Sequence, residues 1–275
     1  MSATIPAVLI GLLAGAHTSS WGMYKDAPHE GFTFPKYFRS IIVAAVAAFI
    51  LSRYVDLNLG WASHLSLFFG LTYAAERLTL ELWKSFLREE DQSKYFIPMQ
   101  FGILGKPIQS RAVRWGVFAA ILVVLVVLVY GANQLMQRYP NANPWLVLIT
   151  VGSIGGWLTA FGGAWKDAPV EGFETFKFFR SPMVALTWAI IMSFFTRNWI
   201  FIAVAGAGYS VASIETYKTF FFPSKPRGKF AGKPILFPKI LEQRRIVAVL
   251  YACIWAVIIT LLVKGFIGPR VGLLP

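Results

Sequence analysis

A charged segment of sixteen residues occurs twice in this chain, and such a duplication restricts the fold to two related units. Lys25 to Ser40 reads KDAPHEGFTFPKYFRS and Lys166 to Ser181 reads KDAPVEGFETFKFFRS, with eleven identities at a constant offset of 141 residues. Similarity at one fixed offset is typical of a duplicated structural unit. Because the charged residues match as well as the apolar ones, this segment is the main functional clue.

Two other patterns recur between the halves. The order glutamate, any residue, aromatic, lysine, hydroxyl, phenylalanine occurs at Glu81 to Phe86 and again at Glu215 to Phe220. A Gly-Lys-Pro sequence occurs at 105–107 and again at 232–234. The duplication therefore covers both halves, and it predicts a first repeat unit over residues 1–136, a connector over 137–144 and a second repeat unit over 145–275.

The composition places these units in a membrane. Hydrophobic residues make up 56% of the chain and charged residues only 14%, and the mean hydropathy is +0.59. These values are too apolar for an ordinary soluble domain. The apolar runs, each read as a transmembrane helix, lie at about 5–21, 41–54, 61–87, 113–130, 145–163, 183–195, 199–222 and 246–266.

The sequence thus predicts an all-α polytopic membrane protein with about eight transmembrane helices. They would form two tandem four-helix repeats. Because each unit has an even number of spans, both units would begin on the same side of the membrane. The repeats would then be parallel and related by a pseudo-twofold axis along the membrane normal. The glycine pairs Gly11/Gly15 and Gly152/Gly156 repeat at the same offset and favour close helix packing in the first span of each unit.

The positive charges predict the orientation. The net charge of +13 raises the question of nucleic-acid binding, but the charges lie between apolar spans, and we expect no nucleic-acid partner. In the eight-span arrangement, loops on one side carry twenty Lys and Arg residues and loops on the other side carry five, namely Arg53, Arg138, Arg197, Lys264 and Arg270. Positive charge collects on the cytoplasmic side, so we expect both termini outside and the repeat loops in the cytoplasm.

The sequence offers little evidence for catalysis. The three histidines, His17, His29 and His64, form no metal-ligand pattern with carboxylates or with Cys253. Val170 replaces His29 in the second copy, which favours a polar surface role for His29, and Cys253 in its apolar run is interpreted as a small packing residue. No nucleophile, nucleotide-binding or metalloprotease motif is present, so no catalytic residue, metal ligand or cofactor is predicted.

The duplicated segment is the candidate binding site for an anion. Pro28 and Gly31 predict a break in the middle of the segment and a folded-back turn. If the second span begins near Pro35, Lys36 and Arg39 share a face at its first turn, where free backbone N–H groups favour a phosphate or carboxylate. The second copy has Phe176 in place of Pro35 and an additional Pro182 directly after Ser181, which predicts a later helix start there.

The candidate substrate-binding residues are the charged and hydroxyl residues of the two segments and of the two Glu-Lys patterns. They are Lys25, Asp26, Glu30, Lys36, Arg39, Ser40, Lys166, Asp167, Glu171, Lys177, Arg180, Ser181, Glu81, Lys84, Glu215 and Lys218. A further basic loop, Lys225 to Arg245, is expected to lie on anionic lipid headgroups. Its counterpart in the first unit is nearly neutral, so the halves have diverged.

Several interpretations of these charges stay open. They could pair with one another, Asp26 and Glu30 with Lys36, Arg39 or Lys84, and fix the helices at the interface. They could form a cytoplasm-facing site between the repeats of a transporter or channel-like protein for an anionic, even lipid, substrate. The alternatives are a membrane enzyme acting on a phospholipid or polyprenyl phosphate, and a structural scaffold. Membrane lipids are the expected partners, and a homo-oligomer is left open.

Overall fold

Long α-helices account for most of the chain. The structure is a computed structural model that describes residues 4–95, 97–222, 230 and 232–275; the side chains of Lys94, Val170 and Glu171 lie outside the described set. The helices are α1 (Thr4–Glu30), α2 (Phe34–Tyr54), α3 (Ala62–Leu82), α4 (Arg111–Arg138), α5 (Pro144–Val147), α6 (Ile154–Glu171), α7 (Thr175–Ser193), α8 (Trp199–Phe220) and α9 (Ile240–Ile267).

Short irregular elements join these helices. A π-helical turn, Trp83–Leu87, continues α3, and a second, Leu148–Gly152, joins α5 to α6. A 3-10 turn, Gln92–Lys94, precedes a two-stranded antiparallel hairpin of β1 (Gly102–Ile103) and β2 (Lys106–Pro107).

The burial pattern is the reverse of that of a soluble protein. In the described part of the chain, five helices are long and apolar enough to cross a membrane: α2, α4, the segment Pro144–Pro169, α8 and α9. In the most apolar 18 residues of α4 and α9, the two most apolar helices, only 6% and 22% of the residues are buried. In α8, the least apolar of the five, the share is 56%. Exposed apolar helices need lipid as a solvent. The protein is therefore an all-α membrane protein.

The centre of the protein is the contact between α3 and α8. A Cβ atom on Gly70 would lie 2.8 Å from the carbonyl oxygen of Ala205, so the two backbones touch. Phe69 packs against Tyr209 with ring centroids 5.3 Å apart, and the Tyr209 hydroxyl donates to the Ser66 carbonyl at 2.9 Å. Small residues let membrane helices approach closely enough for dispersion forces to hold them together.

Close contacts at glycines also join α1 to α2 and α6 to α7. A Cβ atom on Gly15 would lie 2.6 Å from the carbonyl oxygen of Ser40. A Cβ atom on Gly156, 141 residues later, would lie 2.6 Å from the carbonyl oxygen of Ser181. The two glycine contacts therefore join corresponding positions of the two halves.

The predicted break in the middle of the first charged segment is confirmed at residues 31–33, but Pro28 does not cause it. The helix α1 passes through Pro28 and ends at Glu30, where Gly31 adopts a φ of +80°. Proline has no N–H group, so the Tyr24 carbonyl lacks its usual helical donor. Arg244 replaces it, since its Nε and Nη2 atoms donate to the Tyr24 oxygen at 3.0 and 2.8 Å.

The expected late start of the helix in the second copy is wrong. The helix α7 begins at Thr175, the position that corresponds to Phe34 at the start of α2, and Pro182 lies inside it. Gly172 adopts a φ of +84°, close to that of Gly31. The glycine after the first helix, rather than the proline in the next one, decides where each chain reversal occurs.

Two single-residue interpretations change as well. His29 is only 2% exposed, stacks on Phe230 with centroids 4.4 Å apart, and donates from Nδ1 to the Pro234 carbonyl at 2.8 Å. It is therefore a buried contact between distant parts of the chain and not a surface residue. Cys253 is exposed on α9 and does not pack inside the protein.

The Gly15 contact predicts the effect of adding one methyl group. Gly15→Ala should lower the free energy of unfolding by about 1–3 kcal/mol, the usual cost of overpacking, because the new Cβ would clash with α2. Gly22→Ala in the same helix is the control, since a Cβ there meets nothing within 4 Å. Thermal unfolding in detergent measures both. Equal stability of the two variants would contradict the packing described.

Candidate functional site

The lysine that opens the first charged segment contacts the second half of the chain. Lys25 Nζ donates to Glu215 Oε2 at 2.7 Å, across 190 residues of sequence. Lys218, one turn later on α8, donates to the other oxygen, Glu215 Oε1, at 2.7 Å. The Lys25 and Glu215 side chains are only 11% and 13% exposed. One buried carboxylate is thus held between two lysines.

The second copy makes the corresponding contact in the opposite direction. Lys166 Nζ lies 3.6 Å from Glu81 Oε2, and Lys84 Nζ donates to Glu81 Oε1 at 2.8 Å. Arg77 adds a further bond to Glu81 Oε1 at 2.7 Å. Each half therefore supplies a lysine to a Glu-Lys pair of the other half, and we call these four ion pairs the crossed pairs.

Backbone contacts follow the same crossed pattern. The Pro28 carbonyl accepts from the backbone N–H groups of Leu236 and Phe237 at 2.9 and 3.0 Å. In the second copy, Trp165 Nε1 donates to the Gly102 carbonyl of the β1–β2 hairpin at 2.9 Å. The segment after α3 thus packs on α6, and the segment after α8 packs on α1.

A cleft of about 130 Å³ lies in the first half, between the ends of α1 and α3 and the start of α2. Six of the predicted site residues line it: Asp26, Glu30, Lys36, Arg39, Ser40 and Lys84. Arg77 and Arg88 also line it, so five cations and two carboxylates surround the space. The helix α2 begins at Phe34, next to the predicted Pro35, with Thr33 as N-cap, and Lys36 and Arg39 lie in its first two turns.

Two arginines in this cleft have N–H donors without an acceptor among the described residues. Arg39 and Arg88 both lie over the Trp83 ring, at 5.2 and 5.3 Å from its centroid. Arg88 Nη1 pairs with Glu90 at 2.8 Å. However, Arg88 Nε and Nη2 and Arg39 Nε are buried, and no described residue accepts a hydrogen bond from them. Buried guanidinium donors are normally satisfied, so these atoms are suited to hold an anion.

Tyr95 fixes the position of Glu90 at the same cleft. Its hydroxyl donates to Glu90 Oε2 at 2.7 Å. Burial is the larger cause and this hydrogen bond the second cause that raise the pKa of Tyr95 to about 12. The Tyr95 hydroxyl is therefore a neutral donor at physiological pH. Tyr95 also lies 5.3 Å from the Arg88 guanidinium. Arg88 is therefore held in place by an acid on one side and a ring on the other.

The remaining predicted residues, from the second copy, do not line this cleft. Ser181 is buried at the contact with α6 and α8, where its carbonyl accepts from Ser210 at 3.4 Å. Asp167, Lys177 and Arg180 are half-buried and have partners of their own. The side chain of Glu171, and Lys225, Arg227 and Lys229 of the basic loop, lie outside the described residues.

Sequence reasoning missed Glu76, Arg77 and Arg88 as site residues. For Glu76 and Arg77, the available signal was the presence of charges inside an apolar span, which usually marks a functional position. A second signal was asymmetry, because the corresponding positions in the second half are Ser210, Val211 and Phe222. The search for repeated charges overlooked those that occur only once.

Comparison with protein-family models, curated proteins and solved structures finds no match. The class of the protein therefore follows from its own structure. It is an all-α membrane protein with a cationic cleft in its first half and ion pairs that cross between its halves.

The crossed pairs predict a specific pattern of rescue. Glu215→Lys would bring three lysines together and should lower the free energy of unfolding by about 1–3 kcal/mol, as for an unsatisfied buried group. Lys25→Glu combined with Glu215→Lys restores one carboxylate and two lysines at this contact, so the double variant should recover part of that loss. A double-mutant cycle in thermal unfolding measures the coupling. Additive effects would mean that the two side chains do not interact.

Proposed function

We propose that this protein binds an anionic substrate, one that bears a phosphate, sulfate or carboxylate group, in the cleft of its first half and transports it across the membrane. The observation that carries the proposal is the set of buried guanidinium N–H groups of Arg39 and Arg88 that have no acceptor among the described residues. Such donors form strong, charge-assisted bonds with anions. Lys36, Arg77 and Lys84 add positive charge around the same space.

The surroundings of the cleft favour a membrane-embedded anion over a purely structural ion-pair network. Lys84 and Arg77 are already paired with Glu81, and Lys25 and Lys166 belong to the crossed pairs. Those four cations are thus paired with Glu81 or Glu215. Arg39 and Arg88 lie over one ring, which places two like charges together. Apart from the pair between Arg88 Nη1 and Glu90, the buried Nε of Arg39 and the buried Nε and Nη2 of Arg88 have no acceptor among the described residues. Like charges repel, and an anion bound next to both would offset that repulsion.

We further propose that the chain crosses the membrane eight times, as two parallel four-helix repeats with the termini outside and the charged segments in the cytoplasm. The equal glycine contacts of α1 with α2 and of α6 with α7 support this arrangement. So do the crossed pairs, because reciprocal contacts are what a twofold axis generates. In a transporter, the crossed pairs would act as the links that open and close as the halves rock.

Neutralising either arginine should weaken anion binding. Arg39→Gln and Arg88→Gln should each reduce the affinity for sulfate by about 10- to 100-fold, since a hydrogen bond to a charged group contributes about 1.5–3 kcal/mol. Arg53→Gln, at the exposed far end of α2, is the matched control and should bind like the unaltered protein. Calorimetric titration of the purified protein in lipid nanodiscs gives the affinities.

Flux measurements separate transport from static binding. Proteoliposomes should accumulate labelled sulfate or phosphate, and Arg88→Gln should slow the uptake. Binding without flux would leave a membrane scaffold that holds an anion. Absence of both binding and flux, or equal affinity in Arg53→Gln and Arg88→Gln, would overturn the proposal.

Cysteine labelling tests the eight-span arrangement. In a Cys253→Ala background, Asn141→Cys in the connector should react with an impermeant maleimide added outside cells. Glu174→Cys, between α6 and α7, should react only after the membrane is permeabilised, because one span separates the two positions. Labelling of both positions from the same side would contradict the arrangement, and a reversed pattern would contradict the orientation.

A further inference from the structure

A buried carboxyl group lies directly behind the cleft. Glu76 of α3 is 0% exposed. Its Oε2 atom accepts a long hydrogen bond from the Thr18 hydroxyl at 3.4 Å, and its Oε1 atom has no donor among the described residues. A buried carboxylate normally has two or more donors or a close cation. The charged form of Glu76 therefore has few groups around it that stabilise a negative charge.

The nearest cation is shared with another acid. Arg77 Nη1 lies 3.8 Å from Glu76 Oε2, whereas its Nη2 atom donates to Glu81 Oε1 at 2.7 Å. Arg77 is therefore mainly the partner of Glu81. The other charged or titratable groups around Glu76 and its neighbours come from five elements. They are His17 from α1, Arg39 from α2, Tyr73 and Lys84 from α3 and its π turn, Glu215 from α8 and Tyr251 from α9.

Three residues connect this carboxyl group to the cleft. Thr18, Ser40 and Arg77 line the cleft and also face Glu76. An anion in the cleft would attract the Arg77 guanidinium and would bring further negative charge close to Glu76. Both effects disfavour the carboxylate and favour the neutral acid.

We propose that Glu76 is a proton-binding site coupled to the anion site, so that one proton from solvent binds the Glu76 carboxylate when an anion enters the cleft. The proposal rests on the proposed anion-binding function and specifies its coupling. No covalent bond of the anion changes, and the only transfer is a proton to Glu76. By reciprocity the anion binds more tightly as the pH falls. Proton and anion would then move together.

The lack of a counterpart supports a specific role. The position of Glu76 is Ser210 in the second half, and that of Arg77 is Val211. The acids of the crossed pairs, Glu81 and Glu215, do recur. A carboxyl group needed only for holding helices together would be expected in both halves, whereas one coupled to a single cleft is needed once.

The test is calorimetric titration of the full chain in nanodiscs with sulfate, an anion that does not itself titrate near neutral pH. Titration in two buffers of different ionisation enthalpy gives the number of protons taken up per sulfate. The unaltered protein should take up protons and should bind sulfate roughly tenfold more tightly at about pH 5.5 than at about pH 8, within the usual range of coupled sites. Glu76→Gln should take up none and bind equally at both pH values. Glu242→Gln, exposed on α9, is the control and should behave like the unaltered protein.

The outcomes separate this inference from the function on which it rests. If the unaltered protein binds no sulfate at either pH, the anion site itself is overturned. Binding without proton uptake overturns the coupling alone, and uptake that persists in Glu76→Gln overturns the assignment to Glu76. Infrared difference spectra of the unaltered protein need no variant: sulfate should produce the band of a protonated carboxylic acid, and absence of that band also overturns the coupling.

Discussion

The structure depends on a constraint that lipid imposes on charge: a carboxylate buried among membrane helices needs cations next to it. Glu215, whose side chain is 13% exposed, and the less buried Glu81, whose side chain is 43% exposed, are each held by a lysine three residues later and by a lysine of the other half. Two unit charges 4 Å apart attract by about 4 kcal/mol at an effective dielectric constant of 20, and burying each ion costs several kcal/mol. The two terms nearly cancel. The crossed pairs therefore determine how the halves dock more than how stable they are.

Close packing must then supply most of the attraction between helices. Lipid tails are as apolar as leucine, so burying apolar surface between helices gains little. Gly15, Gly70 and Gly156 let neighbouring backbones touch, and the many short-range dispersion contacts add up. This explains why the least apolar spanning helix, α8, occupies the centre while α4 faces outward.

The cationic cleft depends on residues that differ between corresponding positions of the two halves. Arg77 and Arg88 have no basic counterparts at the corresponding positions of the second half. The duplicated residues Lys36 and Arg39 supply part of the positive charge, and these two single residues complete it. The proposed site thus combines residues that recur in the sequence with residues that occur once.

The sequence by itself determined the helices, because an apolar run in lipid must satisfy every backbone hydrogen bond within itself. It also determined where the basic and acidic residues gather, since the duplicated Lys-Asp-Ala-Pro and Glu-Lys patterns are local. Only the tertiary structure decided that Lys25 meets Glu215, 190 residues away, and that Arg244 replaces the donor that Pro28 lacks. It also decided that Glu76 keeps an oxygen without a donor among the described residues. Pairing across that distance depends on how helices cross, and crossing is set by the contacts of many small side chains that no short pattern encodes.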